Sequence, residues 1–293
     1  MADAQKKHAL TGQLMRISPL VWRLTAPNAG VMTGPGTNTY IVGNSTVAII
    51  DPGPEHSEHL DNLLNMLDTH NLTVGWIIPT HTHMDHSPMA KPLQEKSGGI
   101  LAGMRGAKLA NQDQSFVPEM KLQHGDKISG DDFTLETIHT PGHASNHLCF
   151  LLKEEQLLFT GDHIMEGSTV VIGPPDGNMK TYLNSLKMLH DYELEAIAPA
   201  HGELLKQPYQ VADGIIAHRL KREKKAMDAL SQLKAGNLDQ LVPLAYDDVD
   251  PRLYPVAAMS LKAHLDKLVE DGFANVEMAG VRGKEMSMWS LVK

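Results

Sequence analysis

Short apolar runs bounded by glycine, proline and asparagine alternate with amphipathic stretches from Thr39 to Ala198. Thr39–Val42 and Thr46–Ile50 are rich in β-formers. Gly43-Asn44-Ser45 between them predicts a hairpin, and Asp51-Pro52-Gly53-Pro54 stops its second strand. Leu60, Leu63, Leu64 and Leu67 recur at helical spacing. Val74–Ile78 reads as a buried strand that Pro79 ends. A helix is expected from Ser87-Pro88, because proline suits a first turn, and Ile100–Ala102 reads as a further strand. Phe133, Leu135, Thr137 and His139 then alternate with other residues. Leu148–Leu152 and Leu157–Thr160 are apolar strands, Tyr182 to Leu189 is helical, and Ala196–Ala198 is a last short strand. Strands and helices in this order predict an α/β sandwich, with sheets inside and helices outside.

Pro208 opens a long helix to about Leu233, and Gly236-Asn237 ends it. Beyond it come a short helix, Leu238–Ala245, and a longer one, Leu253–Glu270. Two strands follow, Phe273–Met278 and Glu285–Val292, around the turn Ala279-Gly280-Val281-Arg282-Gly283. Helix, helix, hairpin is the order of a small winged-helix module. We therefore expect a catalytic domain over residues 1–235 and a winged-helix-like domain over residues 236–293.

A chain of 293 residues can bury a sizeable core. Its net charge of -9 argues against a protein whose main role is coating nucleic acid. Residues 1–17 contain no apolar run long enough for a leader, and nowhere are there about 18 consecutive apolar residues. No membrane span and a cytoplasmic location are the expectations. Cys149 is the only cysteine and lies in an apolar strand, so it reads as an inert core thiol. Any metal must then be held by imidazole and carboxylate, and the 16 histidines make that worth pursuing.

The strand ending at Pro79 runs into Thr80-His81-Thr82-His83-Met84-Asp85-His86. Residues two apart in extended chain project to one side, so His81 and His83 can grip one ion. Asp85 and His86 lie on the following bend and can face a second. Three other strand ends offer His143, Asp162 and His201: His143 can complete one site and His201 the other, while the two oxygens of Asp162 can bridge. Two ions roughly 3.5–4 Å apart share one hydroxide and lower its pKa. His56, His59, His70 and His190 lie on or near expected helices and read as solvated. His147 and His163 neighbour proposed ligands, where they could orient them or simply pack.

These motifs resemble the metallo-β-lactamase superfamily, whose H-x-H-x-D-H pattern and later single His, Asp and His ligands match His81, His83, Asp85, His86, His143, Asp162 and His201. The similarity runs roughly from Met15 to Glu203. It implies an αββα sandwich, two Zn2+ per chain and a hydrolase with a metal-bridging hydroxide, in which Asp85 also relays a proton. By position within that family, Thr37, Asn38 and Thr169 are expected to contact substrate. Gly36-Thr37-Asn38-Thr39-Tyr40-Ile41-Val42-Gly43, Tyr182-Leu183-Asn184-Ser185-Leu186-Lys187 and Ala217-His218-Arg219 are similar to a branch that includes a mitochondrial endoribonuclease and carries a C-terminal winged-helix-like module. The chain departs from the family at Ser87-Pro88, where Gly-Gly is common.

Three activities remain open: hydrolysis of an acyl bond (thioester, lactone or ester) in a small metabolite, cleavage of single-stranded RNA, and mononuclear iron oxygenation. The first is preferred, and the seven-ligand set argues against the third. The basic run His218, Arg219, Lys221, Arg222, Lys224 and Lys225 is either a solvated face or a phosphate contact. The acidic excess of the C-terminal module favours covering the active site or contacting a second copy as a homodimer.

Overall fold

The computed structural model describes residues 12–281 and 284–292. The expectation about the first residues, the centre of the turn at Arg282-Gly283, and Lys293 lie outside the described residues. The chain divides into two compact units, one of residues 1–140, 145–170 and 190–208, the other of 141–144, 171–189 and 209–293.

The first unit holds two sheets. One runs in the order β1 (Leu14–Arg16), β2 (Val21–Thr25), β3 (Asn38–Val42), β4 (Thr46–Ile50), β5 (Thr73–Ile78), β6 (Ile100–Gly103) and β7 (Met120–Lys121). β3 and β4 form the expected hairpin, with Tyr40 opposite Ile50. Helix α1 (Ser57–Thr69) then carries the chain over so that β5 lies parallel to β4, and α2 (Ala90–Ser97) does the same for β6. The second sheet runs β13 (Leu205–Lys206), β12 (Ala196–Pro199), β11 (Leu157–Gly161), β10 (Leu148–Leu152), β9 (Thr134–His139) and β8 (Lys127–Ser129).

Alternation along the strands sorts the side chains into two layers. Tyr40, Val42, Ala48 and Ile50 face the second sheet and pack with Leu135, Leu148, Phe150 and Phe159. Ile41, Val47 and Ile49 face the other way, onto Leu63, Met66 and Leu67 of α1 and Leu93 of α2. His59, expected at the surface, is buried with Nε2 2.9 Å from Thr39 Oγ1, and burial pushes its pKa down to about 4. Strand β2 gave no clear signal because Arg23 interrupts it. That side chain is 1% exposed and neutralised by Glu203 at 2.9 Å.

The second unit contains α3 (Met179–Met188), α4 (Pro208–Leu233, from Tyr209 on), β14 (Ala235–Gly236), α5 (Leu238–Ala245), α6 (Tyr254–Glu270), β15 (Ala274–Val281) and β16 (Lys284–Leu291). Asn237 caps α5 with a reciprocal Asn237–Gln240 capping box. Leu230, Leu241, Leu261, Leu265 and Trp289 form its core. Among the described residues no helix is long and apolar enough to cross a membrane.

The inter-sheet layer depends on large side chains filling it. Phe150→Ala is expected to cost about 3–5 kcal/mol, measured as a lowered denaturation midpoint.

Candidate metal centre

Parallel strands end on the same edge of a sheet. Here that edge gathers Asp51 after β4 and residues 80–86 after β5; in the other sheet, Asp162 after β11 and His201 after β12 are gathered likewise. Four donor atoms meet there. His86 Nε2 lies 3.4 Å from Asp85 Oδ2 and 3.5 Å from Asp162 Oδ1. His201 Nε2 lies 3.4 Å and 3.2 Å from the same two oxygens. Ligands about 2.0–2.1 Å from a tetrahedral zinc ion are separated by roughly 3.3 Å, and each of these four imidazole–carboxylate separations is close to that value. Both Nε2 atoms are buried and no hydrogen bond satisfies either, an arrangement a cation would relieve.

The histidines are aimed by what their other nitrogens touch. His86 Nδ1 faces Asp51 Oδ2 at 3.1 Å. His201 Nδ1 donates to the Gly36 carbonyl at 3.1 Å. His81 Nδ1 meets Thr80 Oγ1 at 3.1 Å, which leaves His81 Nε2 turned toward His83 Nδ1, 2.9 Å away. His83 Nε2 contacts the Asn111 amide at 3.1 Å. His143 sits on the Pro141–Ala144 turn that belongs to the second unit, with Nδ1 2.8 Å from the Val171 carbonyl. His81, His86 and Asp162 form one group of donors with metal-holding spacing, and Asp85, His86 and His201 another.

Charge is concentrated here. Burial would raise the Asp162 carboxyl, but the His201 and His86 imidazoles hold it well below the usual range. Burial opposes charge on His201, yet Asp162 and Asp85 push its pKa up to about 9. His86 is likewise held well above its usual value by Asp85, Asp51 and Asp162 against the effect of burial. A site whose carboxylates pull protons onto imidazoles is one that favours a cation among them.

Asp51 is the functional residue that sequence reasoning missed. It is 1% exposed, and its Oδ1 accepts the Thr80 N–H at 2.7 Å while both oxygens lie 3.0 Å from the Thr80 hydroxyl. In the sequence it read only as the stop of a strand. The available signal was an acid directly after an apolar strand in a chain with histidines after the next strand. Arg23 is a second omission, since it braces the His201 turn through Glu203 and the Gly202 carbonyl.

Of the residues expected to touch substrate, Thr37 and Asn38 are fully buried. Thr37 pairs with His201 in an isolated bridge and its Oγ1 accepts from Asn28. Asn38 Nδ2 donates to the Pro199 and Gly202 carbonyls at 3.1 and 2.8 Å, and its Oδ1 accepts from Thr25. Both hold the His201 turn in place. Thr169 is partly exposed, on the segment that follows the Asp162 loop.

A model of the metallo-beta-lactamase superfamily matches residues 32–201, the stretch that contains all the proposed ligands. The chain belongs to the metallo-beta-lactamase superfamily. A beta-lactamase associated winged helix domain matches residues 238–282. The chain is 29% identical over 287 residues to an atrochrysone carboxyl ACP thioesterase of Emericella nidulans, covering 95% of this chain and 88% of that protein. It is 28% identical over 286 residues to the beta-lactamase-like protein 2 homolog of Drosophila melanogaster, covering 90% and 92%. A beta-lactamase domain protein from Burkholderia ambifaria shares the fold with a TM-score of 0.83 at 19% identity, over 99% of this chain and 96% of that one. The superfamily match and the gathered donors make this chain a metal-dependent hydrolase.

Asp51→Asn removes the charged partner of His86 Nδ1 and is expected to weaken metal binding about 10–100-fold, read by competition with a chromophoric chelator.

Proposed function

We propose that this protein is a dinuclear zinc hydrolase of acyl bonds, with a thioester of a small molecule as its substrate class. The observation that carries the metal part is the close approach of His86 Nε2 and His201 Nε2 to both Asp85 Oδ2 and Asp162 Oδ1, at 3.2–3.5 Å. In this reading His81 and His83 would hold one ion and Asp85, His86 and His201 the other, while Asp162, grouped with His81 and His86, would serve both. When bound, such an ion pair lowers the pKa of a shared water and polarises the acyl carbonyl. The chain's own residues do the rest. Asp162 and His86 are buried and hold their donors still, whereas the Asp85 side chain is 28% exposed. Asp85 would hold the proton on the oxygen not turned to His86 and His201: it takes the proton of the attacking water and returns it to the departing sulfur. Thr169 is the remaining candidate for substrate contact.

The thioesterase relative supports the acyl reading, and so do the apolar groups beside the ligands. Met84, between His83 and Asp85, is 54% exposed; Val31 and Met32, on the turn leading to Gly36, are 91% and 53% exposed. Apolar groups in these places suit an acyl chain better than a polyanion. Most of the basic run on α4 is meanwhile engaged by its own neighbours. Arg222 and Lys225 pair with Asp248 and Asp247, Lys224 with Asp228, and buried Arg219 lies over the Tyr182 ring. That pairing leaves α4 poorly suited to binding the phosphates of a single-stranded RNA. We place the division of labour at residues 1–235 (catalysis) and 236–293 (winged-helix module), a boundary supported by family matches that end at 201 and resume at 238. A cytoplasmic location stays part of this reading.

The test is a panel of acyl thioesters, lactones and single-stranded RNA offered to the zinc-loaded protein, with free thiol as the thioester readout. Thioester hydrolysis is expected, abolished by chelation and restored by zinc. His81→Ala and Asp162→Ala should each lower kcat/KM by at least about 10³-fold, or roughly 4 kcal/mol. RNA cleavage that disappears in His81→Ala, without thioester turnover, would overturn the reading.

A further inference from the structure

His147 is absent from the proposed ligand set, yet it sits where three ligand-bearing strand ends meet. It is fully buried. Its own carbonyl accepts from the Thr140 N–H at 2.9 Å, and the next amide, Leu148 N–H, donates to the Thr80 carbonyl at 2.8 Å. Its ring lies 5.1 Å from the His81 ring, tilted by 34°. The backbone is pressed close as well. A Cβ on Gly161, whose φ is +48°, would fall 2.8 Å from His147 Nε2 and 2.4 Å from Thr80 Oγ1, so only glycine allows this approach.

The hydrogen-bond directions around the ring are determined by chemistry. The Asp162 backbone N–H can only donate, and it lies 3.2 Å from His147 Nε2. That nitrogen is therefore the acceptor, and in the neutral ring the proton resides on Nδ1. Nδ1–H then donates to Thr140 Oγ1 at 2.8 Å. The Thr140 hydroxyl, with its oxygen accepting, is left to donate to Cys149 Sγ at 3.2 Å. Burial pushes the Cys149 thiol up to about 12, so it keeps its proton and turns it to the Thr160 carbonyl at 3.8 Å. The chain begins on the amide of Asp162 and ends on the carbonyl two residues before it. Thr140, His147, Cys149 and Thr160 are all completely buried.

We propose that His147, acting through Thr140 and Cys149, is a positioning residue that clamps the Thr160–Asp162 bend and so sets the Asp162 carboxylate against His86 and His201, where it would help hold a metal. Cys149 thereby has a part in the centre, as the last donor of the relay. The inference rests on the metal-binding reading above and is independent of the acyl substrate.

The experiment is a cobalt(II) titration of the metal-free protein, followed by visible absorption, together with the melting temperature of the metal-free form. His147→Leu is expected to keep the circular dichroism of the wild type, bind cobalt about 10–100-fold more weakly, and show a changed absorption band. His147→Gln, which keeps one acceptor and one donor, should recover part of the affinity. Thr140→Val, which removes the acceptor of Nδ1–H, should reproduce a smaller loss, and it decides the matter if His147→Leu does not fold. Wild-type affinity and spectrum in His147→Leu, or in Thr140→Val where that variant must decide, overturn the inference. So does a loss of affinity that only tracks a lowered melting temperature of the metal-free form. A wild-type protein that takes up no cobalt overturns the metal reading and this inference together, whereas failure of the thioester assay touches neither cobalt result.

Discussion

The carboxylate of Asp51 is the contact on which the centre depends. A buried carboxylate is costly unless its oxygens are satisfied, and here Thr80 donates to both while His86 Nδ1 faces Oδ2 at 3.1 Å. The same bonds tie the end of β4 to the end of β5 and turn His86 so that Nε2 points inward. Thr80 passes the constraint on to His81 through its hydroxyl. One acid, itself outside the ligand set, thus orients two of the imidazoles. This is possible because β4 and β5 are parallel neighbours, and a crossover helix between them brings their ends to one edge.

A similar economy holds on the opposite sheet. The His201 turn is gripped by Asn38, Thr37 and the Arg23–Glu203 pair, and the Asp162 bend by His147. Each grip buries polar groups, and each is completed by hydrogen bonds or an ion pair, which is what makes polar side chains tolerable in so apolar a sandwich. The result is a set of donors held at metal-ligand separations by groups behind them, with imidazole and carboxylate charges that favour a cation. Charge elsewhere is spent differently. Arg222 and Lys225 of α4, which look like part of a phosphate-binding face, are neutralised by Asp247 and Asp248 of the following segment, and Lys224 pairs with Asp228 of the helix itself. A run of one charge in the sequence says nothing about what its partners will be.

Much of this was legible in the sequence. Period-two alternation marked β9 and helical spacing marked α1, β-rich apolar runs marked β3, β4 and β5, which are buried on both faces, and Pro208 with Gly236-Asn237 bounded α4. The candidate donors from His81 to His201 stood out because metal chemistry restricts residue type and spacing. Strand β2 was not, since its inward Arg23 breaks the apolar pattern and is reconciled only by Glu203, 180 positions away along the chain. His59 was misjudged for the same reason: a polar residue on a helix reads as solvated until its partner, Thr39, is known.

The sequence by itself therefore determined the family, the order of its larger helices and of the core strands β3 to β5 and β9 to β12, and the residues able to hold metal, all properties carried by local pattern or by residue chemistry. Only the tertiary structure decided how those atoms are aimed. The roles of Asp51, Asn38 and His147 depend on which strand ends meet at one edge, and that is a property of sheet pairing between distant segments. No spacing along the chain encodes the hydrogen-bond direction at a buried ring; the backbone amide that folding sets beside it does.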